Sequence, residues 1–351
     1  MPAVYSASRL DRVFVQAQAA GTPRTIPNAG GTWTNTGAIL ARHQSLTLTQ
    51  NNQVVEVPYK TGTRSTVAGI AGRKSGAVSL TVPLIPAGVA GTLPDLDMIF
   101  KSAFGQAATG TVTKIYNFNE TGVLPFALFR FNRSGGSSPT HQLAGGCIPQ
   151  RLTFNLGGEV AMMTVDAKCV FVSDSAQFSS YTTPDDIAKF ALTAWPTEPT
   201  AGAPITVAGN IINGWGGSAT FDNNVQADMR GTPSITINTG LDYAEDTYQD
   251  AYPAVVTCGK RTVSVSGLKF IDNDQSALNN LKVKAFTKSA INISLVVNNT
   301  AGSIVTFGLV GVQLTPWSLV ENGNAFDINF GDSAAHASAI GTIDDLTLTF
   351  S

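Results

Sequence analysis

Val78-Ser79-Leu80-Thr81-Val82 alternates apolar and polar side chains without a break, and Val263-Ser264-Val265-Ser266-Gly267-Leu268 does the same in the second half of the chain. Successive side chains of a strand point to opposite faces. A period of two therefore marks a strand with one face buried and the other wet. The same reading holds for Leu46-Thr47-Leu48-Thr49, Ile235-Thr236-Ile237, Ile291-Asn292-Ile293-Ser294-Leu295 and Leu346-Thr347-Leu348-Thr349-Phe350. Val, Ile and Thr dominate these runs, as pleated surfaces favour, and Gly and Asn punctuate them. The fold expected is mainly β. Residues before Ala38, with Pro23, Pro27, Gly30 and Gly31, read as an irregular N-terminal arm.

Helical periodicity occurs in two places. Pro94 and Asp95 open a segment with Leu96, Ile99, Phe100 and Ala103 on one face. Asp272 and Asp274 open a second, with Leu278, Leu281 and Ala285 stacked and Phe286 following. Both end in Ala-Phe. That pairing prompts a search for an internal repeat, and five landmarks recur in order. Ser45-Leu46-Thr47-Leu48 matches Ser234-Ile235-Thr236-Ile237, and Gly72-Arg73-Lys74 matches Gly259-Lys260-Arg261. The two helices match, and Phe126 to Phe131 matches Ile291 to Val297. Gln150-Arg151-Leu152-Thr153-Phe154 matches Val312-Gln313-Leu314-Thr315-Pro316. The offset is 189 from Ser45 to Ser234 and 162 from Leu152 to Leu314, so the second copy is the shorter. The division expected is an N-terminal arm at 1–37, one module at 38–175, a Pro/Gly-rich linker at 176–217 and a second module at 218–351. The linker includes a short helix over 184–190.

Composition narrows the class. Of 351 residues, 13% are charged, about half the usual share in soluble proteins. The net charge of -2 is too balanced for a chain that grips nucleic acid electrostatically. No apolar run reaches the roughly 18 residues of a membrane span, and residues 1–6 lack the pattern of a secretory leader. Cys147, Cys169 and Cys258 are widely spaced. They read as reduced, buried thiols, with one disulfide as the alternative.

No constellation that carries chemistry emerges. His43, His141 and His336 are scattered, and no metal-ligand spacing or nucleophile elbow is present. Neither a metal nor a cofactor is expected. Gly72-Arg73-Lys74-Ser75 and Gly259-Lys260-Arg261-Thr262 lack the glycine spacing of a phosphate loop. They read as basic pairs where a loop enters a strand, or as salt-bridge partners for a neighbouring subunit. Asp95 and Asp97, like Asp272 and Asp274, suit the positive end of a helix better than a magnesium site. Asp242, Glu245, Asp246 and Asp250 cluster in a loop. Trp33, Trp195, Trp215 and Trp317 lie near loops and the linker, which leaves a carbohydrate-binding β-sandwich as another reading.

The order of landmarks from Gly72 to Gly105, followed by Gly146-Cys147-Ile148-Pro149-Gln150-Arg151-Leu152-Thr153-Phe154-Asn155-Leu156-Gly157-Gly158-Glu159 and a strand, resembles the major tail tube proteins of long-tailed, non-contractile bacteriophages. Ser234 to Phe286 resembles a further copy of that module. The resemblance implies two tandem β-sandwich or split-barrel modules, each with one short flanking α-helix. It implies rings, here of three subunits with pseudo-sixfold symmetry, that stack into a tube. It also implies a structural virion protein rather than an enzyme, assembled in the host cytoplasm and carried in the phage tail. The implied partners are the chain itself, a tape measure protein in the lumen, and tail terminator and distal tail proteins at the tube ends. Double-stranded DNA would pass through without specific binding, along a neutral to negative lumen. In the family the long loop between the second and third strands meets the adjacent ring, which maps to about 50–71 and 239–258. Asp242, Glu245, Asp246 and Asp250 are therefore expected at a neighbouring ring, met by Arg73, Lys74, Lys260 and Arg261. A distal-tail, baseplate or terminator ring is the alternative within the same assembly.

Overall fold

The alternating runs lie in strands in a computed structural model of the chain, the run at 263–268 being split between two strands at Gly267. The structure describes residues 11–20, 22–25, 38–55, 69–120, 122–131, 141–175, 195–197, 211–214, 216–225, 229–244, 251–273, 276–323, 325–337 and 345–351. The fold is mainly β, with two helices among these residues: α1 (Asp97–Phe104) and α2 (Ser276–Thr287). No described helix is long and apolar enough to cross a membrane.

In the first half, β1 (Arg12–Ala17) pairs with β2 (Ala38–Ala41) and with β6 (Phe126–Phe131). Next to β6 lies β7 (Gln142–Asn155), a long strand that serves two sheets. Its first part pairs with β9 (Phe171–Asp174), and its second part with β8 (Met162–Cys169). Outward from β8 follow β4 (Ile70–Pro83) and then β3 (Ser45–Val55). The short strand β5 (Lys114–Tyr116) sits in the connection after α1.

The second half pairs in the same sequence. Here β10 (Ser218–Phe221) pairs with β11 (Asn224–Val225) and with β17 (Ile291–Val297). Strand β18 (Val305–Val312) follows β17 and pairs with β22 (Leu346–Phe350). Just past β18, Gln313 bridges to Ala334 of β21 (Ser333–Ala335). Outward from β21 follow β15 (Thr262–Ser266) and then β12 (Ser234–Asn238). The β15–β21 ladder continues through β16 (Leu268–Ile271), β20 (Ala325–Phe330) and the edge strand β19 (Trp317–Asn322). Gly267, at φ 73°, lets β15 turn into β16; a Cβ there would stand 2.3 Å from the Thr232 carbonyl oxygen. A separate hairpin, β13 (Leu241–Ala244) with β14 (Val255–Cys258), completes the set.

Among the described residues, two strand pairings join the halves. Strand β12 pairs with β7, so one sheet runs β3-β4-β8-β7-β12-β15-β21 across both. Strand β22 pairs with β5, which carries the connection after α1 into the six-stranded sheet β11-β10-β17-β18-β22-β5. The two sheets face each other over a shared apolar core, where Phe154 meets Phe307 at 5.0 Å between ring centres. Phe100 of α1 packs there against Tyr116 and Phe350. Phe126, Phe129 and Phe131 are all buried, as core packing requires.

Several expectations change. Residues 1–37 are not wholly irregular, because Val13, Phe14 and Val15 form the buried centre of β1. A strand covered on both faces shows no alternation. The segment 239–258 is not an open loop; it holds the hairpin β13–β14. Part of the 176–217 linker packs against the body: Ile212 is buried and its carbonyl accepts the Ala161 N–H. The helix expected at 184–190 lies outside the described residues.

Candidate functional site

The wet face of the long sheet is the most continuous chemical feature of the molecule. Alternation sends Leu46, Leu80, Val165, Leu152, Ile237 and Val263 toward the core. Their neighbours point the other way and line up from strand to strand. One row runs Thr47–Ser79–Asp166–Arg151–Asn238–Thr262. The next runs Ser45–Thr81–Thr164–Thr153–Thr236–Ser264–Ala334. These side chains are exposed or half-buried.

Most of these side chains are short and uncharged, and many are bonded to one another. The Thr81 and Thr164 hydroxyls lie 3.2 Å apart, Ser234 Oγ donates to Asn155 Oδ1 at 3.0 Å, and Asn238 Nδ2 to Thr262 Oγ1 at 3.1 Å. The two charges in these rows cancel: Arg151 binds Asp166 at 2.6 Å, and Ser79 donates to the same carboxylate at 2.7 Å. Lys168, further along, is paired with Asp242 at 2.9 Å. A polyanion passing this face meets hydroxyls and amides, with no uncompensated cation in the rows to release its counterions.

The predicted contact residues separate into distinct places. Asp242 lies in β13 and binds Lys168 and Gln150 of the same chain. Glu245, Asp246 and Asp250 lie outside the described residues. The hairpin carrying Asp242 packs over the first half, where Leu241, Tyr243 and Tyr252 join Phe129 and Phe131 in a second apolar cluster. Tyr243 donates its hydroxyl to the Gly146 carbonyl at 2.5 Å, and burial pushes its proton affinity up. Lys74 gives its backbone N–H to the Ala251 carbonyl, and its ammonium stands 5.3 Å from the Tyr252 ring centre. Arg73 and Lys74 line a 250 Å³ cavity beside this hairpin.

Arg261 marks the seam between the halves. Its guanidinium lies 3.9 Å from the Phe118 ring centre and bonds Asp345 at 2.8 and 3.2 Å, with Glu120 at 3.7 Å. Phe118 stacks on Phe104, the last residue of α1. Lys260, beside it, is exposed on the rim of a 320 Å³ cavity.

Of the helix-start acids, Asp97 is buried and spent on Tyr116 and Lys101, while Asp272 pairs with Lys282. Cys147 and Cys169 are buried across β7 and β8 with sulfurs 2.8 Å apart, and burial pushes the Cys147 thiol up. Cys258 is exposed, contrary to the expectation of three buried thiols. Trp195 packs on Phe129, whereas Trp317 is exposed on β19. Among the described residues, no group of three or more His, Cys, Asp or Glu is placed to hold a metal ion.

The row structure escaped sequence reading because it depends on which strands are neighbours. Its only local signal was that Ser and Thr fill the polar positions of the alternating runs. No protein-family model matches this chain, and no curated protein sequence does.

Proposed function

We propose that the chain is a tail tube subunit of a long-tailed, non-contractile phage, built from two copies of one module. On this reading three subunits close into a ring with six quasi-equivalent modules, and rings stack into the conduit for DNA. The observation that carries the proposal is the seven-strand sheet whose wet face is a field of Ser, Thr and Asn with its charges paired off. A channel that conducts a polyanion without holding it needs such a wall, since each basic contact left unpaired would add a salt-dependent attraction. The recurrence of the same pairing order in both halves supports duplication. The β7–β12 junction supports growth of the sheet from module to module. The low charge fraction fits a subunit that buries much of its surface against copies of itself. The tape measure, terminator and distal tail partners follow from the same reading.

Negative-stain electron microscopy of the purified protein at high concentration tests it. Hollow tubes of stacked rings are the expected result. Rings that never stack would point to a distal-tail or terminator part, and a persistent monomer would overturn the proposal. Placement of the wet face toward the lumen is tested separately with Thr153→Lys and Thr236→Lys in assembled tails. Slower, salt-sensitive DNA release is expected, and unchanged release would put this face elsewhere.

A further inference from the structure

The long sheet is open at β3, and the three-stranded sheet β16-β20-β19 that lies beyond its β15–β21 end is open at β19. Among the described residues, β3 pairs only with β4, and β19 only with β20. Charged side chains, one of the usual guards of an exposed edge, are scarce along both segments; Pro316, the irregularity between Asn52 and Val54 in β3, and Lys288 Nζ on the Leu314 carbonyl at 3.2 Å are the guards present. Residues 45–55 contain no charge, and residues 313–322 contain only Glu321. All six residues of β19 are exposed, including Trp317, Leu319 and Val320. Val283 and Phe286 on α2 are exposed as well, and Lys282 of that helix lies over the Trp317 ring.

The chain already contains one completed junction of this kind. At β7–β12, Arg151 faces Asn238, Thr153 faces Thr236 and Asn155 faces Ser234. The strand ladders show which residues correspond between the halves. Thr47–Ser79–Asp166–Arg151 in the first half has its counterpart in Thr236–Ser264–Ala334–Gln313 in the second. Arg151 therefore corresponds to Gln313. Thr236 and Asn238 correspond to Thr47 and Thr49. Transferring the junction to the open edges places Gln313 opposite Thr49, Thr315 opposite Thr47 and Trp317 opposite Ser45. The sequence offsets of 162 and 189 give the same register without reference to the ladders.

We propose that Gln313–Trp317 of one copy pairs antiparallel with Ser45–Thr49 of a second copy, in that register. The row that begins at Ser45 and ends at Gln313 then enters the second copy at Thr49, four residues along β3, so the rows climb from subunit to subunit. Pro316 has no N–H to give, so the pair it forms with Leu46 is held through its carbonyl alone. The pairing names the subunit interface of the ring proposed above and rests on that reading for closure.

Disulfide trapping tests the register, in a background with Cys258→Ser to remove the exposed native thiol. Thr49→Cys and Gln313→Cys are made as separate single variants and mixed under mild oxidation by a small-molecule disulfide. A reducible heterodimer is expected, with neither variant alone giving it in comparable yield. The double variant Arg151→Cys/Asn238→Cys calibrates the geometry by closing the corresponding bond within one chain. If that control closes and unmodified protein forms rings or tubes while the mixture gives no heterodimer, this pairing is overturned and the ring reading stands. If the heterodimer forms while microscopy shows no rings or tubes, the pairing stands and the tube reading falls. If neither appears, both are overturned.

Discussion

Helices α1 and α2 hold the same place in the two halves, yet their surroundings differ. Seven of the eight residues of α1 are buried, against three of the twelve in α2. Phe104 and Phe286 end the corresponding Ala-Phe pairs. Phe104 is sealed under Phe118, whereas Phe286 is 87% exposed. The cause is the chain that follows. Residues 105–120 fold back over α1 and bring in β5, which pairs with β22, while only residues 288–290 separate α2 from β17. Burial of a helix here is decided by its cover rather than by its own periodicity.

The largest test of that contrast is Phe100→Ala. Its ring touches Tyr116, Phe154 and Phe350, so the cavity should cost about 3–5 kcal/mol in denaturant unfolding. A loss under about 1 kcal/mol would mean that the cover collapses to fill the space. Next comes Arg261→Ala, which strips the partner from the nearly buried Asp345 and uncovers Phe118. A loss of about 3 kcal/mol is expected, and Arg261→Lys should recover only part of it because an ammonium cannot bond the carboxylate through a planar fork.

A smaller effect sits at the entrance to α1. Burial raises the Asp95 carboxyl to about 6, against the opposing pull of Arg42. A carboxyl whose folded value lies above its unfolded one binds its proton more tightly when folded. Its contribution therefore favours folding as pH falls from above 6 toward 4 and is lost as pH rises through 6. Asp95→Asn should raise the melting temperature at pH 7.5 and flatten its change between pH 5 and 7. Parallel melting curves for the two proteins across that range would refute this. Phe286→Ala comes last, with a change within about 0.5 kcal/mol for the isolated subunit. A larger loss would show that the second helix has a cover after all.

Much of the fold was legible wherever one face of an element is wet. The alternating runs at 46–49, 78–82, 235–237, 291–295 and 346–350 lie in strands, and 263–268 does so except at Gly267; both helices form, but α1 starts at Asp97, after Pro94, Asp95 and Leu96, because Leu96 takes a left-handed backbone at φ 59°. Strand β1 was not legible, since Val13-Phe14-Val15 is covered on both sides and leaves no period to read. The basic pairs were found, but their roles were set by distant chain. Arg261 meets Asp345, and Asp242 meets Lys168 and Gln150, at separations of 84, 74 and 92 residues. Local spacing records that a charge is present but not which strand will stand beside it. The hydroxyl rows were hidden for the same reason.

The pairing of β22 with β5 has a consequence for the order of synthesis. Leu348 lies opposite Tyr116, and Phe350 seats its ring on Phe100 and Tyr116. A nascent chain that has already made α1 must wait for more than two hundred further residues before its first core can close. At about 5–20 residues per second that is on the order of ten to fifty seconds. During that interval Phe100, Phe104 and Tyr116 lack the β22 side of their core, and a chaperone that shields them would act before β22 emerges.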